Sequence, residues 1–363
     1  MFNADGGGGD DAPMSERVLF SVNHPAQVHL FKHAIWELEA AGCETLVASR
    51  DKEMTRDLLD AYDIEYVELT AESNGLVELG IELARREVSL YRVARRFDPD
   101  VIVARLSPPA VHVSTAIGCR NLVYMDTVLR PRAVRVLYHG LTLPFVDDIC
   151  APPGFDFRVP RGRSHQAAFQ ELSYLHPNRF EPKPDRLRRH GVEPENPYSV
   201  VRLAGWDAYH DFGERGLSRG DRDRILDILT SEGDVYITSE GTLPDEYEQY
   251  QITVPPHRIH DLLYYADLYI GDSQTMPTEA ALLGTPAIRV NSVVGDHDMY
   301  NFVELEETYE LLFSYSEGEK AVDRAAQIIT ERRDDEWTRR RERLITDAKD
   351  VTAEMIDLIH GRK

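Results

Sequence analysis

Short apolar runs alternate with amphipathic segments along almost the whole chain. In the first part, six such runs predict β-strands, at residues 17–22, 44–48, 65–69, 101–104, 121–125 and 147–151. Segments with helical periodicity follow four of these runs, and the predicted helices end near residues 41, 62, 97 and 117. Because strands and helices alternate at this pace, the pattern predicts a parallel, doubly wound sheet with helices on both faces.

The same alternation resumes after a proline-rich stretch at 183–197, whose composition is typical of a linker. Beyond it, we predict strands at 198–203, 235–238, 252–254, 268–270 and 287–290, and helices at 218–232, 257–265, 277–283, 298–307, 317–333 and 337–360. The chain is thereby divided into an acidic tail (1–16), a first domain (17–182), the linker (183–197), a second domain (198–335) and a C-terminal segment (336–363).

Two open parallel sheets that face each other form a cleft, because such sheets bind ligands at the carboxyl ends of their strands. This geometry suits a nucleotide-activated donor on one side and an acceptor on the other. The loops that follow predicted strands are therefore where we expect the polar side chains of a site.

The charge of the chain is strongly acidic. It has 63 acidic and 41 basic residues, which give a net charge of −22. This balance disfavours nucleic acid and anionic membranes as partners, since no compensating basic stripe is visible in the sequence. The arginine clusters at 85–86, 95–96, 186–189 and 339–341 lie among acidic residues and indicate solvated helix faces. The acidic excess, with more arginine than lysine, indicates adaptation to high salt, and we expect a halophilic archaeal host.

The cysteines and the apolar runs favour a cytoplasmic protein. Cys43, Cys119 and Cys150 have no metal-binding or redox spacing and fit a reducing compartment. No run of 18 apolar residues predicts a membrane span, and the acidic start lacks the features of a signal peptide. The oligomeric state is left open by the sequence.

The stretch from Ala266 to Ile288 is the strongest candidate for a phosphate site. A buried strand leads into a polar loop and the start of a helix, and unpaired N–H groups at a helix start attract anions. The predicted donor-binding residues here are Gly271, Asp272, Ser273, Thr275 and Glu279, with Glu279 accepting from a diol such as a ribose. The alternative is an ordinary βαβ crossover with a capped helix.

Two loops of the first domain carry candidate catalytic groups. His24 follows the first strand, with Gln27 and His29 nearby, and a histidine there can act as a general base or bind phosphate. Asp126 follows the strand at 121–125 and can orient a base or bind a sugar hydroxyl. The alternatives are a surface loop, a packed histidine and a helix cap.

The loop after the strand at 198–203 is equally rich in polar and aromatic groups. Arg202 can bind phosphate bidentately, Trp206 can stack on a base or sugar, and His210 with Asp211 can form an oriented catalytic pair. The alternative is an aromatic plug between domains. His257 and His260 have no third ligand at a suitable spacing, so we expect no metal site. Nucleophile-elbow, P-loop and dinucleotide fingerprints are missing from the sequence, which disfavours hydrolase, NTPase and NAD-dependent functions.

The stretch 266–288, with 260–267 before it, resembles the nucleotide-sugar motif of GT-B glycosyltransferases and is similar to a segment of the UDP-N-acetylglucosamine 2-epimerases. The whole chain from Arg17 onward resembles the prokaryotic family called domain of unknown function 354. The residues that carry this resemblance are at 24–32, 173–180, 206–211 and 271–284.

The resemblance implies two Rossmann-like domains of GT-B type, with the final helix crossing back to the first domain. It also implies that Ser273 and Thr275 approach donor phosphates and that Glu279 approaches the ribose. Gln274 stands where the epimerases have glycine, and Asn23-His24-Pro25 replaces the glycine-rich loop of many GT-B enzymes. Acceptor chemistry is therefore not carried over.

These observations lead to three hypotheses of function. The first is a metal-independent glycosyltransferase without a cofactor, in which His24 or Asp126 deprotonates an acceptor and Arg202 helps to hold the departing diphosphate. The second is a non-hydrolysing nucleotide-sugar 2-epimerase, which needs carboxylates around the sugar, with Asp126, Asp211 and Glu240 as candidates. The third is a binding protein that keeps the fold without the chemistry. The apolar, basic segment 129–138 leaves open a lipid-linked acceptor at a membrane.

Overall fold

The first domain is built on a parallel sheet of seven strands. The computed structural model describes residues 16–50, 54–69, 76–126, 132–155, 159–203, 217–239, 243–291, 294, 298–331 and 334–361. The strands are β1 (Arg17–Val22), β2 (Glu44–Ser49), β3 (Tyr66–Glu68), β4 (Val101–Arg105), β5 (Arg120–Tyr124), β6 (Asp148–Ala151) and β7 (Arg163–Gln166). Their order is β3-β2-β1-β4-β5-β6-β7 and every pair is parallel. The strand order reverses between β1 and β4, which is where such sheets bind ligands.

Helices cover both faces of this sheet, so its central strands are apolar on both sides. The helices are α1 (Pro25–Ala40), α2 (Thr55–Ala61), α3 (Leu76–Phe97), α4 (Pro108–Ile117) and α5 (Arg132–Thr142). Val18, Leu19 and Phe20 of β1 are completely buried, as expected for a strand with no solvent-facing side. Proline at the first turn of α1 and of α4 suits the start of a helix.

The second domain has a parallel sheet of five strands. These are β8 (Tyr198–Leu203), β9 (Asp234–Ser239), β10 (Leu268–Gly271), β11 (Ala287–Val290) and β12 (Leu312–Tyr315), in the order β12-β11-β10-β8-β9. The remaining helices, numbered along the chain, are α6 (Leu172–Leu175), α7 (Pro184–Arg188), α8 (Arg219–Glu232), α9 (Ile259–Tyr265), α10 (Met276–Leu283), α11 (Tyr300–Val303), α12 (Gly318–Glu331), α13 (Asp334–Asp347) and α14 (Val351–Ile359). The two parallel sheets confirm the predicted fold class.

The chain returns to the first domain at its C-terminal end. One continuous helix was expected over 337–360, but Asp350 ends that continuity because its side chain accepts from Ala353 N at 3.1 Å and caps α14. α13 packs against α10, whereas α14 packs against α1 and α6. Arg120 donates to the carbonyl oxygen of Leu358 at 2.6 Å and Arg179 pairs with Asp350 at 3.0 Å. None of the described helices is long and apolar enough to cross a membrane.

Three details of the sequence interpretation are wrong. The first sheet does not end at β6, because β7 adds an edge strand that has no apolar residue and is held by Asp148, which pairs with Arg163 and His165 at 2.9 Å each. The predicted strand at 252–254 is reduced to an isolated bridge between Ile237 and Gln251. β12 follows a helical segment at 300–308 and was not predicted.

Candidate active site in the interdomain cleft

The carboxyl ends of the two sheets face each other across a cleft. A cavity of about 280 Å³ opens there, lined by His24, Ala26, Gln27, Leu30, Arg105, Asp126, Gln170, Glu171, Tyr174 and Thr275. A smaller cavity of about 100 Å³ shares Asp126, Gln170, Glu171 and Thr275 and adds residues such as Gln274 and Asn301. Both domains therefore contribute side chains to one continuous site, and it contains the predicted residues His24, Asp126 and Thr275.

An arginine-carboxylate pair lies on the first-domain side of the cleft. Arg105 is the last residue of β4 and Asp126 follows β5, so the parallel strands bring them to the same edge. Arg105 donates to both carboxylate oxygens of Asp126, at 2.7 Å to Oδ2 and in a close contact to Oδ1. It also donates to Gln170 Oε1 at 2.6 Å, and Gln170 in turn donates to the Met125 carbonyl at 2.9 Å. The network holds the Asp126 carboxylate in one orientation.

The charges in this network stabilise one another. Burial alone would lower the pKa of Arg105, but the Asp126 carboxylate outweighs it and the pKa is raised. A carboxylate with both oxygens bonded to a guanidinium is a weak base, because the pairing favours its charged form. The geometry therefore favours the orienting role predicted for Asp126 over proton abstraction.

Glu171 is a functional candidate that the sequence interpretation missed. Burial, and next the neighbouring Asp126 carboxylate, raise the pKa of Glu171 to about 8. A carboxyl group with such a pKa exchanges a proton near neutral pH and suits general acid-base catalysis. The sequence feature that could have indicated Glu171 was its position two residues before the 173–180 segment, which carries the family resemblance.

His24 lines the larger cavity as the N-cap of α1. Its Nδ1 accepts from Ala26 N at 3.2 Å, so the neutral imidazole carries its proton on Nε2 and offers a hydrogen-bond donor there. This arrangement favours the predicted phosphate-binding role over the predicted role of general base. His29 does not line the cavity, since it is buried against Tyr62, Tyr174 and His260 and its pKa is lowered, mainly by burial.

The second-domain side is formed by the loop after β10 and the start of α10. Thr275 stands at the N-cap position of α10 and lines both cavities. Gly271 also has a role in packing, because a Cβ there would lie 2.5 Å from the Arg202 carbonyl oxygen. The glycine is therefore required for the close packing of β10 on β8, and its predicted part in donor binding stays a prediction.

Three further predicted residues surround the buried hydroxyl of Tyr269. Arg202 donates to Thr238 Oγ1 at 2.9 Å and its charge lowers the pKa of Tyr269, although burial dominates and raises it. The charge of the Asp272 carboxylate acts in the same direction as burial and raises the pKa of Tyr269, and Ser273 is the next residue of this loop. These groups lie at the carboxyl ends of β8 and β10 but do not line either cavity.

Glu279 lies inside the domain interface and not on the cleft surface. Its side chain is buried; Oε1 accepts from the Tyr174 hydroxyl at 2.8 Å and lies 3.1 Å from His260 Nε2. Burial would raise the pKa of Glu279, but His260, Tyr174 and Lys32 outweigh it and the pKa is lowered. Glu279 lines neither cavity, and its Oε1 is already engaged by side chains from α6 and α9, so the expected contact with a ribose stays a prediction.

Some predicted residues lie outside the described part of the chain, namely Trp206, His210, Asp211 and Glu240. A separate group, Glu16, Cys43 and His360, brings possible metal-ligand atoms within 4.8 Å of one another. Glu16 and Cys43 precede β1 and β2, so this group lies at the amino ends of the strands. It is therefore at the opposite edge of the sheet from the cleft.

Comparison of the sequence with known proteins finds one family and a relative in an archaeon. The family described as "Protein of unknown function (DUF354)" matches residues 17–160. The uncharacterized protein MJ0665 of Methanocaldococcus jannaschii is 23% identical over 284 residues, covering 75% of this chain and 80% of that protein.

Solved structures match over nearly the full length. The UDP-GlcNAc 2-epimerase from Methanocaldococcus jannaschii gives a TM-score of 0.65 at 10% identity, covering 96% of this chain and 100% of that one. The spinosyn forosaminyltransferase SpnP gives 0.63 at 15% identity, covering 95% and 100%. The UDP-GlcNAc 2-epimerase from Neisseria meningitidis, bound to UDP-GlcNAc, gives 0.61 at 13% identity, covering 96% and 100%. The first domain thus matches the DUF354 family, and the chain as a whole has the fold of GT-B glycosyltransferases and UDP-GlcNAc 2-epimerases.

Proposed function

We propose that this protein is an enzyme that transfers a sugar from a nucleotide-activated donor to an acceptor hydroxyl. The observation that carries the proposal is the composition of the cleft. Glu171, a carboxyl group with a pKa of about 8, lines the same cavity as Thr275 at the start of α10. A proton acceptor and an anion-binding helix start thus border one space, as sugar transfer from a diphosphate requires.

On the donor side, the start of α10 offsets the charge of the departing diphosphate. Unpaired backbone N–H groups and the helix dipole favour an anion at this position, and Thr275 adds a hydroxyl donor. In this proposal protein groups hold the diphosphate in place of a metal ion. Arg202 and Trp206 remain candidates for binding a second phosphate and the nucleobase, and Glu279 remains the candidate for the ribose.

On the acceptor side, Glu171 takes the proton. The acceptor O–H bond breaks, its oxygen bonds to the anomeric carbon, and the bond from that carbon to the phosphate oxygen breaks as the nucleoside diphosphate leaves. Burial and the Asp126 carboxylate beside Glu171 raise the pKa of Glu171, and Arg105, whose charge partly opposes this effect, holds the Asp126 carboxylate in place. His24 Nε2 donates to a hydroxyl or a phosphate oxygen.

The test is turnover of UDP-, GDP- and dTDP-sugars, measured as release of nucleoside diphosphate in the presence of candidate acceptors. Glu171→Gln keeps the size of the side chain and removes the base, so we expect kcat to fall by about 10²- to 10⁴-fold. Wild-type kcat should rise with pH up to about 8, where Glu171 loses its proton. An unchanged kcat in Glu171→Gln would remove this residue from the reaction.

A second candidate function is epimerisation of the sugar within the nucleotide sugar. It is favoured by the presence of two carboxyl groups, Asp126 and Glu171, in both cavities, since inversion of a carbon centre requires removal and return of a proton. Proton NMR of UDP-GlcNAc incubated with the enzyme distinguishes the two functions. A new anomeric signal without any acceptor indicates epimerisation, whereas acceptor-dependent loss of the donor indicates transfer.

A further inference from the structure

An apolar surface with basic residues covers part of the first domain. Among the described residues, eight large apolar side chains are exposed, and six of them lie on α3 and α5. The six are Val88 and Tyr91 of α3 and Val134, Val136, Leu137 and Leu141 of α5, of which Leu137 is 66% and Val136 62% exposed. Such clustering differs from the single exposed apolar residues that are normal on soluble proteins.

Arginines share this surface with the apolar side chains. Arg85, Arg92, Arg95 and Arg96 of α3 and Arg132 of α5 are exposed. On α3 they follow the spacing of one helix face that also carries Val88 and Tyr91. Over residues 82–97 the acidic side chains are Glu82, which is buried, and Glu87, which contacts His112. α5 contains no acidic residue.

The exposed faces of the two helices are neighbours. His112 of α4 contacts both helices, with Nδ1 at 3.2 Å from Glu87 Oε1 and Nε2 at 2.8 Å from the Leu141 carbonyl oxygen. The Tyr138 hydroxyl of α5 donates to the carbonyl of Leu106, which directly follows Arg105 of the cleft. The α3–α5 surface is therefore formed by two helices that both pack on α4, and α5 contacts the residue that follows Arg105 of the cleft.

We propose that the α3–α5 surface docks on a lipid bilayer with anionic phospholipid headgroups. Apolar side chains of an amphipathic helix insert at the headgroup boundary, and arginines bind the phosphates. The chain carries a net charge of −22, so this basic face is the one that an anionic surface attracts. A second copy packed face to face would set these arginines against their own equivalents, which is unfavourable.

The arginine clusters of α3 were expected on solvated helix faces, and Arg85, Arg95 and Arg96 are exposed as expected. A basic stripe was not expected from the sequence. Folding produces the stripe, because the acidic residues of α3 that the structure describes turn inward or toward α4. Docking would bring the cleft to the membrane, where a lipid-borne acceptor could enter. The docking proposal does not depend on which reaction takes place in the cleft.

The test is cosedimentation of the full chain with vesicles made of equal parts phosphatidylglycerol and phosphatidylcholine, and with vesicles of phosphatidylcholine alone. We expect binding to the anionic vesicles that weakens with salt. The double variant Val136→Asp/Leu137→Asp should lose it by more than about tenfold, and each of Arg92→Gln and Arg95→Gln by about fivefold.

Val303→Asp, at an exposed apolar residue of the second domain, is the matched control and should bind like the wild type. Circular dichroism checks that each variant is folded. The proposal is overturned if the wild type does not sediment with anionic vesicles, or if Val303→Asp weakens binding as much as the double variant. It is also overturned if ultracentrifugation shows a dimer that Val136→Asp/Leu137→Asp dissociates while vesicle binding is absent.

Discussion

Replacing Glu171 by glutamine should stabilise the protein in mildly alkaline solution. The carboxyl group is held in the cleft beside Asp126, and its pKa rises from 4.5 to about 8. Between these pH values the folded protein keeps a proton at Glu171 that the unfolded chain has released. The free energy of unfolding of the wild type therefore falls as the pH rises through this window. Glutamine cannot ionise and avoids the loss.

The size of the effect follows from the shift. Each pKa unit corresponds to about 1.4 kcal/mol, so the full shift corresponds to about 5 kcal/mol. Glu171 is only half-buried, and solvent screening reduces this value, so we expect a difference of about 2 to 3 kcal/mol at pH 8.5. Below about pH 4.5 the two proteins should differ little, because the carboxyl group is then protonated in both the folded and the unfolded state.

Urea unfolding of the wild type and Glu171→Gln, at several pH values and constant salt, measures this difference without knowledge of any substrate. Other titrating groups contribute equally to both proteins and cancel. Glu181→Gln, at a carboxylate whose side chain is 80% exposed, controls for the loss of one negative charge. A difference between wild type and Glu171→Gln that does not change with pH would refute the assignment of a raised pKa.

Three further predictions concern stability and are measured by urea unfolding. Gly271→Ala should lower the free energy of unfolding by about 1 to 3 kcal/mol, because its Cβ would clash with the backbone of β8. Gly140→Ala is the control and should be neutral or stabilising, because a Cβ there meets nothing within 4 Å. Equal effects of the two substitutions would contradict the packing role of Gly271. Asp148→Asn should cost about 2 to 3 kcal/mol at neutral pH by leaving Arg163 and His165 without their carboxylate. Hydrogen bonds from these two residues outweigh burial and lower the pKa of Asp148. This difference should therefore shrink as the pH falls below the ordinary pKa of 3.8 and vanish only below the lowered pKa of the folded state; a difference that does not shrink in acid would count against it. Tyr174→Phe should lower the free energy of unfolding by about 1.5 to 3 kcal/mol, since it removes the hydrogen bond to the Glu279 carboxylate. An unchanged free energy of unfolding would show that this bond contributes nothing.

Much of the fold follows from local patterns. The strands β1 and β8 begin and end at the predicted residues, because each is an apolar run bounded by polar segments. β7 has no apolar residue and forms only because β6 offers it an edge and Asp148 offers it a partner. Such a strand depends on tertiary contacts, so periodicity cannot predict it.

Part of the site could also be predicted from local patterns. His24, Asp126 and Thr275 follow strands or begin helices, and the rule that parallel sheets bind ligands at their carboxyl ends brings them together. Glu171 lies in a connection after the first sheet, and nothing local shows that it lies beside Asp126. Glu279 was expected at the ligand, but its partner Tyr174 is 105 residues away in the chain. Only the fold shows that this carboxylate is already bonded.

The central claim is that a nucleotide sugar binds in the cleft with its diphosphate at Thr275. Isothermal titration of UDP-, GDP- and dTDP-sugars into the wild type, Thr275→Glu and Thr275→Gln tests it most directly. The two variants have side chains of similar size and differ in charge. We predict that one class of nucleotide sugar binds the wild type, that Thr275→Gln retains much of this affinity, and that Thr275→Glu loses it through repulsion of the diphosphate. Binding of the same nucleotide sugar with equal affinity to all three proteins, or binding of none to the wild type, would contradict the account.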